Sequence, residues 1–184
     1  TLTGHTYLVM DCAISPDGTF IVSASWDKTL KIWDAATGAE RATLTGHTHY
    51  VNACAISPDG AFIVSASHDK TLKIWDAATG AERATLVLLS QLRCLALHQS
   101  CPFAVCGEEG GGFYTMDLLG LGYGPIIVTA VLKKHWFKKE HLIRCPACQK
   151  EYPINRDQLG HEMTCPTPGC DLQMKINPFT IEMD

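Results

Sequence analysis

Hydrophobic positions in this chain come in short runs rich in Val, Ile and Thr, each closed by a cluster of Ser, Pro, Asp or Gly. Such runs predict β-strands and are too short for helices. Residues 20–25 and 62–67 are two of them, each preceded by a Ser-Pro-Asp-Gly turn at 15–18 and 57–60. A further strand ends in Trp33-Asp34 or Trp75-Asp76, and Ala-Thr-Gly at 36–38 and 78–80 turns the chain into a last one, over 40–45 and 82–88. With the apolar run that follows Gly4-His5 or Gly46-His47, each stretch holds four strands in meander order.

The two stretches are copies: residues 1–42 recur as 43–84 with six substitutions, a period of 42 residues. A third copy is worn. At an offset of 41, Ile56 meets Leu97, Phe62 meets Phe103 and Val64 meets Val105, but Gly-His is lost, Asp69 becomes Gly110 and Trp75 becomes Met116. Together, the Gly-His and Trp-Asp dipeptides and the period resemble the WD-repeat β-propeller family, and the near-identity of the copies resembles its bacterial members.

That resemblance implies an all-β fold of about three four-stranded blades, in units 1–42, 43–84 and 85–132. It also implies a hydrogen-bonded set that ties each blade together: His5, Asp27, Ser23 or Ser25 and Trp33 in the first, and His47, Asp69, Ser65 or Ser67 and Trp75 in the second. The third unit is expected to hold by packing alone. Because propellers use roughly four to eight blades, three leave the ring open. Residues 1–3 match 43–45, the tail of an outer strand. The expectation is a C-terminal piece of a larger multidomain protein with more blades upstream; a homo-oligomer that closes the ring is the weaker alternative.

Past Asp117 the pattern changes. A glycine-rich loop over 118–125 leads to one more apolar strand at 126–132, a charged linker at 133–140, and then Cys145-Pro-Ala-Cys148 and Cys165-Pro-Thr-Pro-Gly-Cys170. Two paired-cysteine knuckles joined by a hairpin of this length are a strong metal signature, since zinc takes four soft ligands in a tetrahedron. Residues 141–184 resemble a zinc ribbon, a small β-hairpin domain with strands expected at 151–154 and 172–176. The second knuckle departs from the commonest pattern, with four residues between its cysteines instead of two. A redox pair and two disulfides are the alternatives, and His141 and His161 are spare imidazoles. Four protein ligands leave no open position, so a single structural zinc is expected, not a catalytic one. The other cysteines, Cys12, Cys54, Cys94, Cys101 and Cys106, read as buried reduced thiols of the repeats.

Composition narrows the function. The chain has 184 residues, 46% hydrophobic, with a net charge of −4 and no basic stripe beyond Lys133-Lys134 and Lys138-Lys139. Nucleic acid and anionic membranes therefore gain no electrostatic support. No apolar stretch reaches the ~18 residues of a spanning helix, no signal peptide is visible, and a reducing cytoplasm is the expected setting. Nucleophile elbow, P-loop and zinc-binding His pair are all missing, so the chain reads as non-enzymatic. Gly110-Gly111-Gly112 reads as a hairpin turn.

Function is sought instead where the copies differ: Tyr7/His49, Leu8/Tyr50, Met10/Asn52, Asp11/Ala53, Thr19/Ala61 and Trp26/His68. In a propeller all but the Thr19/Ala61 pair fall on one rim, with Trp26 expected as an exposed anchor. The reading is a protein-interaction scaffold or sensor module that binds protein partners through Tyr7, Leu8, Met10, Trp26, His49, Tyr50, Asn52 and His68; neutral drift at solvent-facing positions would leave the same pattern. Nucleic-acid binding through the ribbon is the alternative. Against it, residues 144–184 hold four basic side chains and six acidic ones.

Overall fold

The computed structural model describes residues 1–118, 121–135 and 138–183. Its contacts divide it into unit 1, Thr1–Gly122, and unit 2, Tyr123–Asp184. Among the described residues there is no α-helix, only one 3-10 turn at Arg156–Gln158. None of them forms a helix long and apolar enough to cross a membrane.

Unit 1 holds three antiparallel meanders. The first runs β1 (Val9–Ile14), β2 (Phe20–Ser25), β3 (Leu30–Asp34) and β4 (Glu40–Leu44), each strand paired with the next. The second repeats it with β5 (Val51–Ile56), β6 (Phe62–Ser67), β7 (Thr71–Asp76) and β8 (Glu82–Val87). These are the expected blades, and local chemistry sets their turns. Ser15 Oγ and the Thr19 amide both donate to Asp17 Oδ1, at 2.7 and 3.0 Å, while Gly18 takes φ 70°, a left-handed conformation that glycine adopts without strain.

Blades stack through alternating faces. One face of blade 1, with Phe20, Val22, Ala24, Leu30, Ile32 and Leu44, packs on Val51, Cys54, Ile63 and Trp75 of blade 2 in one cluster of buried residues. Burying side chains of this size contributes about 1.5–3 kcal/mol each against the unfolded chain. β5 in turn packs on β9.

The third blade differs from expectation. Among the described residues it has three strands, β9 (Leu92–Leu97), β10 (Phe103–Glu108) and β11 (Phe113–Asp117), with Glu108–Gly112 as the turn of the last hairpin. Polar ties supplement its packing: Tyr114 Oη donates to Glu108 at 3.0 Å, and Arg93 pairs with Glu109.

The apolar run expected as its fourth strand belongs to unit 2 as β12 (Ile126–His135). β12 lies at the centre of a five-stranded sheet, antiparallel to β13 (Lys138–Arg144) and parallel to β16 (Gln173–Met183), with β14 (Glu151–Ile154) and β15 (Glu162–Thr164) at the edges. Ile126 is 3% and Val128 8% exposed, and a strand paired on both edges between two hairpins buries such residues better than the outer edge of a blade would. The linker expected at 133–140 is therefore paired strand on either side of Trp136 and Phe137, which lie outside the described residues. The boundary falls at 122/123 instead of 132/133.

All nine cysteines are free thiols. Cys54 and Cys106 are buried as expected, but Cys12, Cys94 and Cys101 are exposed. Cys12 and Cys54 are followed by the same six residues, and among the described residues Cys54 packs against blade 1 while Cys12 has no such cover.

Candidate metal centre and partner-binding rim

Within each of the first two blades, the predicted hydrogen-bonded set is assembled. His5 Nδ1 lies 2.8 Å from Asp27 Oδ2 and Nε2 2.7 Å from Ser23 Oγ, which also accepts Trp33 Nε1–H at 2.8 Å. The second blade repeats this with His47 to Asp69 at 2.9 Å, His47 to Ser65 at 2.7 Å and Trp75 to Ser65 at 2.9 Å. Of the two serines left open by sequence, Ser23 and Ser65 carry the role; Ser25 and Ser67 bond backbone near the rim instead.

An ionised carboxylate only accepts, so the histidine proton sits on Nδ1 and the serine hydroxyl donates to Nε2. Burial lowers the His47 pKa and keeps the ring neutral. Burial alone would raise Asp69, but the Thr71 hydroxyl, the Thr48 amide and His47 outweigh it and hold its carboxyl down at about 2. Asp27 is held at about 2 by Thr29, His5 and the Thr6 amide in the same way. The Ser-His-Asp order imitates a hydrolytic triad, yet Ser65 is fully buried and its oxygen is occupied by Trp75. The arrangement joins loop to strand.

At the rim, rings from the two blades stack: Tyr7 on Trp26 at 6.1 Å, Trp26 on Tyr50 at 4.8 Å, and Tyr50 edge-on to His49 at 4.3 Å. His49 and His68 lie 4.4 Å apart, so five of the predicted rim residues form one surface. Tyr7, Leu8 and Met10 are 57, 56 and 45% exposed. Two expectations change. Trp26 is half-buried, its indole N–H donated to Asn52 Oδ1 at 3.0 Å, and Asn52 is 8% exposed with its amide given to Leu92 O at 2.7 Å. Asn52 is thus an inter-blade tie. So is Asp11, whose Oδ2 accepts the Cys54 amide at 2.9 Å. Part of the divergence between the copies therefore serves the joints between blades, because a residue at a joint meets a different neighbour in each copy.

In unit 2 the knuckles are the turns of two hairpins. Cys145 N–H bonds Lys150 O at 3.0 Å and Gln149 takes φ 62° in the first; Cys165 N–H bonds Leu172 O at 2.9 Å and Gly169 takes φ 78° in the second. The longer second turn closes on itself through Cys170 N–H to Thr167 O, 3.0 Å. All four Sγ atoms lie within 4.8 Å of one another, with Cys145 to Cys170 at 3.8 Å and Cys148 to Cys165 at 3.6 Å. A tetrahedron of thiolates about 2.3 Å from zinc has S···S edges of about 3.8 Å. The four cysteines can hold a metal ion, and both their chemistry and their spacing fit zinc.

The surroundings divide the thiols. Burial pushes Cys145 up to about 12, while the Thr167 hydroxyl and the Lys150 amide draw Cys148 down to about 5. Thr167 Oγ1 lies 3.4 Å and Tyr152 Oη 3.6 Å from Cys148 Sγ, and the two hydroxyls touch each other. Neither was expected from sequence, although Thr167 sits inside the second knuckle and Tyr152 on the strand leaving the first. Beneath them pack Ile126, Ile143, Met174 and Ile176. His141 and His161 do not join the cluster.

Residues 1–34 and 38–76 match the family described as WD domain, G-beta repeat. Among similar proteins, "MST50-interacting protein 11" of Pyricularia oryzae is 58% identical over 38 residues, 21% of this chain and 12% of that protein. "Small ribosomal subunit protein RACK1" of Saccharomyces cerevisiae is 57% identical over 35 residues, 19% of this chain and 11% of the relative. Its namesake in Caenorhabditis elegans is 55% identical over 38 residues, 21% of this chain and 12% of the relative. The matched segments thus span only about an eighth of the relatives' own length. Two adjoining stretches of this chain, 1–34 and 38–76, are WD repeats by sequence, and blades 1 and 2 give them their structural form.

Proposed function

We propose that the chain is a non-enzymatic scaffold or sensor module that engages protein partners through the rim of unit 1, while one zinc ion on Cys145, Cys148, Cys165 and Cys170 stabilises unit 2. The observation that carries the first part is the aromatic surface built across two blades by Tyr7, Trp26 and Tyr50. Rings already held by their neighbours offer contact area at little cost in conformational entropy, which is why such side chains dominate protein interfaces. One relative is named for its interaction with another protein, and this chain would share that class of partner.

The zinc would supply folding free energy to unit 2, with no position left for a substrate or water. The parent setting we propose is a cytoplasmic, bacterial-type multidomain WD-repeat protein. The proposal does not extend to nucleic acid, because residues 144–184 offer no surplus of positive charge.

The test uses the solvent-facing ring and its neighbour. Partners captured by wild type in a cross-linking pull-down should be lost with Tyr7→Ala and Tyr50→Ala together, with unit 1 still folded by circular dichroism. An unchanged set of partners would remove the rim from consideration.

A further inference from the structure

The longer of the two knuckles carries a group that the shorter one lacks. Cys145 and Cys148 are separated by two residues and Cys165 and Cys170 by four, and the extra length seats Thr167 between Pro166 and Pro168. A following proline disfavours the helical conformation at Thr167, and the turn closes over it through Cys170 N–H to Thr167 O at 3.0 Å. So held, Thr167 reaches the other knuckle: its Oγ1 lies 3.4 Å from Cys148 Sγ. Tyr152, on β14 and likewise followed by a proline, brings Oη to 3.6 Å from both Cys148 Sγ and Cys165 Sγ and into contact with Thr167 Oγ1.

Main-chain donors are shared out among all four sulfurs. The amides of Ala147 and Cys148 serve Cys145, that of Lys150 serves Cys148, that of Thr167 serves Cys165 and that of Leu172 serves Cys170. The two hydroxyls are distributed differently: they converge on the edge between Cys148 and Cys165, from side chains that are half-buried. Charge makes that placement consequential. Four thiolates around one divalent ion leave an excess of negative charge. Of the basic side chains that flank the first knuckle, Arg144 pairs with Glu151 at 3.0 Å and Lys150 is exposed, which leaves the balance to dipoles. A thiolate can only accept, so a hydroxyl proton beside it turns to sulfur, and such charge-assisted bonds are stronger than neutral ones.

We propose that Tyr152 and Thr167 are positioning residues of the metal site, whose hydroxyls donate to the thiolates of Cys148 and Cys165 and so hold the ion more tightly. This rests on the zinc reading given above and extends it to side chains outside the four ligands. Hydrogen bonds of this kind fix the orientation of a ligand and disperse its charge. They also give the two added residues of the second knuckle a purpose, since that turn places a hydroxyl against a sulfur of the other knuckle.

The test compares the full chain with Thr167→Val, Tyr152→Phe and Thr167→Ser, each loaded with zinc and, separately, with cobalt(II). Wild type should take up one metal ion per chain. Competition with a chromogenic chelator should show zinc held about 10-fold more weakly by Thr167→Val and by Tyr152→Phe, with Thr167→Ser, which keeps the hydroxyl, close to wild type. In the cobalt form, the near-ultraviolet sulfur-to-metal charge-transfer band should move to longer wavelength in the two variants that lose a donor and stay in place in Thr167→Ser. Loosened packing alone would not produce that shift. Circular dichroism of the loaded variants establishes that they fold. A band unmoved in both Thr167→Val and Tyr152→Phe, with wild type still binding one ion, overturns the proposal and leaves the zinc reading standing. A wild type that binds no metal overturns the zinc reading and the proposal with it.

Discussion

Unit 1 and unit 2 face the same difficulty, that of fixing loops to small β-sheets, and meet it with different chemistry. In the blades a buried imidazole, hydroxyl, carboxylate and indole satisfy one another, and every donor has an acceptor within the chain. In unit 2 four thiols converge within 4.8 Å. Thiolates at that separation repel one another unless a cation lies between them. The first device is complete on its own, and the second, in the reading proposed above, is completed by a metal ion held among the four cysteines. A blade should therefore respond to the loss of a hydrogen bond, and unit 2 to the loss of an ion.

The largest effect is expected from chelation. Stripping zinc from the loaded protein should expose the amides of β13 to β16 to rapid hydrogen exchange and leave those of β2, β3, β6 and β7 protected. Structural zinc sites of this ligand type are worth about 10 kcal/mol or more of apparent binding free energy. Equal protection in unit 2 before and after chelation would mean that the four cysteines do not depend on metal.

A smaller effect separates the two blades. Ser65→Ala leaves the Trp75 indole N–H and His47 Nε2 without partners in a fully buried place. The expected cost is about 2–4 kcal/mol, read from urea unfolding, since each orphaned buried group costs about 1–3. Ser23→Ala should cost less, because Ser23 is 7% exposed and lines an open groove with His5 and Trp33, whereas Ser65 is fully buried.

In unit 1, acid gives a further effect. Asp27 and Asp69 sit at about 2 in the folded chain, below the value of about 3.9 for an unfolded aspartate. A depressed folded pKa contributes stability that is fully present above the unfolded value and lost as pH falls through the folded one. The melting temperature of unit 1 should therefore drop between about pH 4 and pH 2. Asp69→Asn should flatten part of that slope; an unaltered slope would place the acid sensitivity elsewhere.

Much of this was legible from residues close together in the chain. Gly18, Asp17 and Ser15 specify their turn and each knuckle carries its own hairpin, because the forces involved act within one supersecondary unit; the network of His5 and Trp33 was implied by the family resemblance. Identity of Ser23 as the shared acceptor was not legible. It depends on pairing register: Trp33 stands opposite Ile21, two residues from Ser23 on the same face and four from Ser25. Nor was the destination of β12, whose apolar sequence suits a blade edge and a sheet centre equally, until pairing with β13 and β16 chose between them.

The sequence by itself determined the strands of blades 1 and 2, their order within each blade and the grouping of four cysteines into two turns, and its resemblance to a known family implied the histidine-centred networks. Only the tertiary structure decided burial. Ile21 and Ile63 stand in identical runs, 20–25 and 62–67, yet the first is half-buried and the second fully buried. The reason is that hydrophobic burial is a property of the surface that arrives from elsewhere in the fold, and a residue carries no record of which surface that will be.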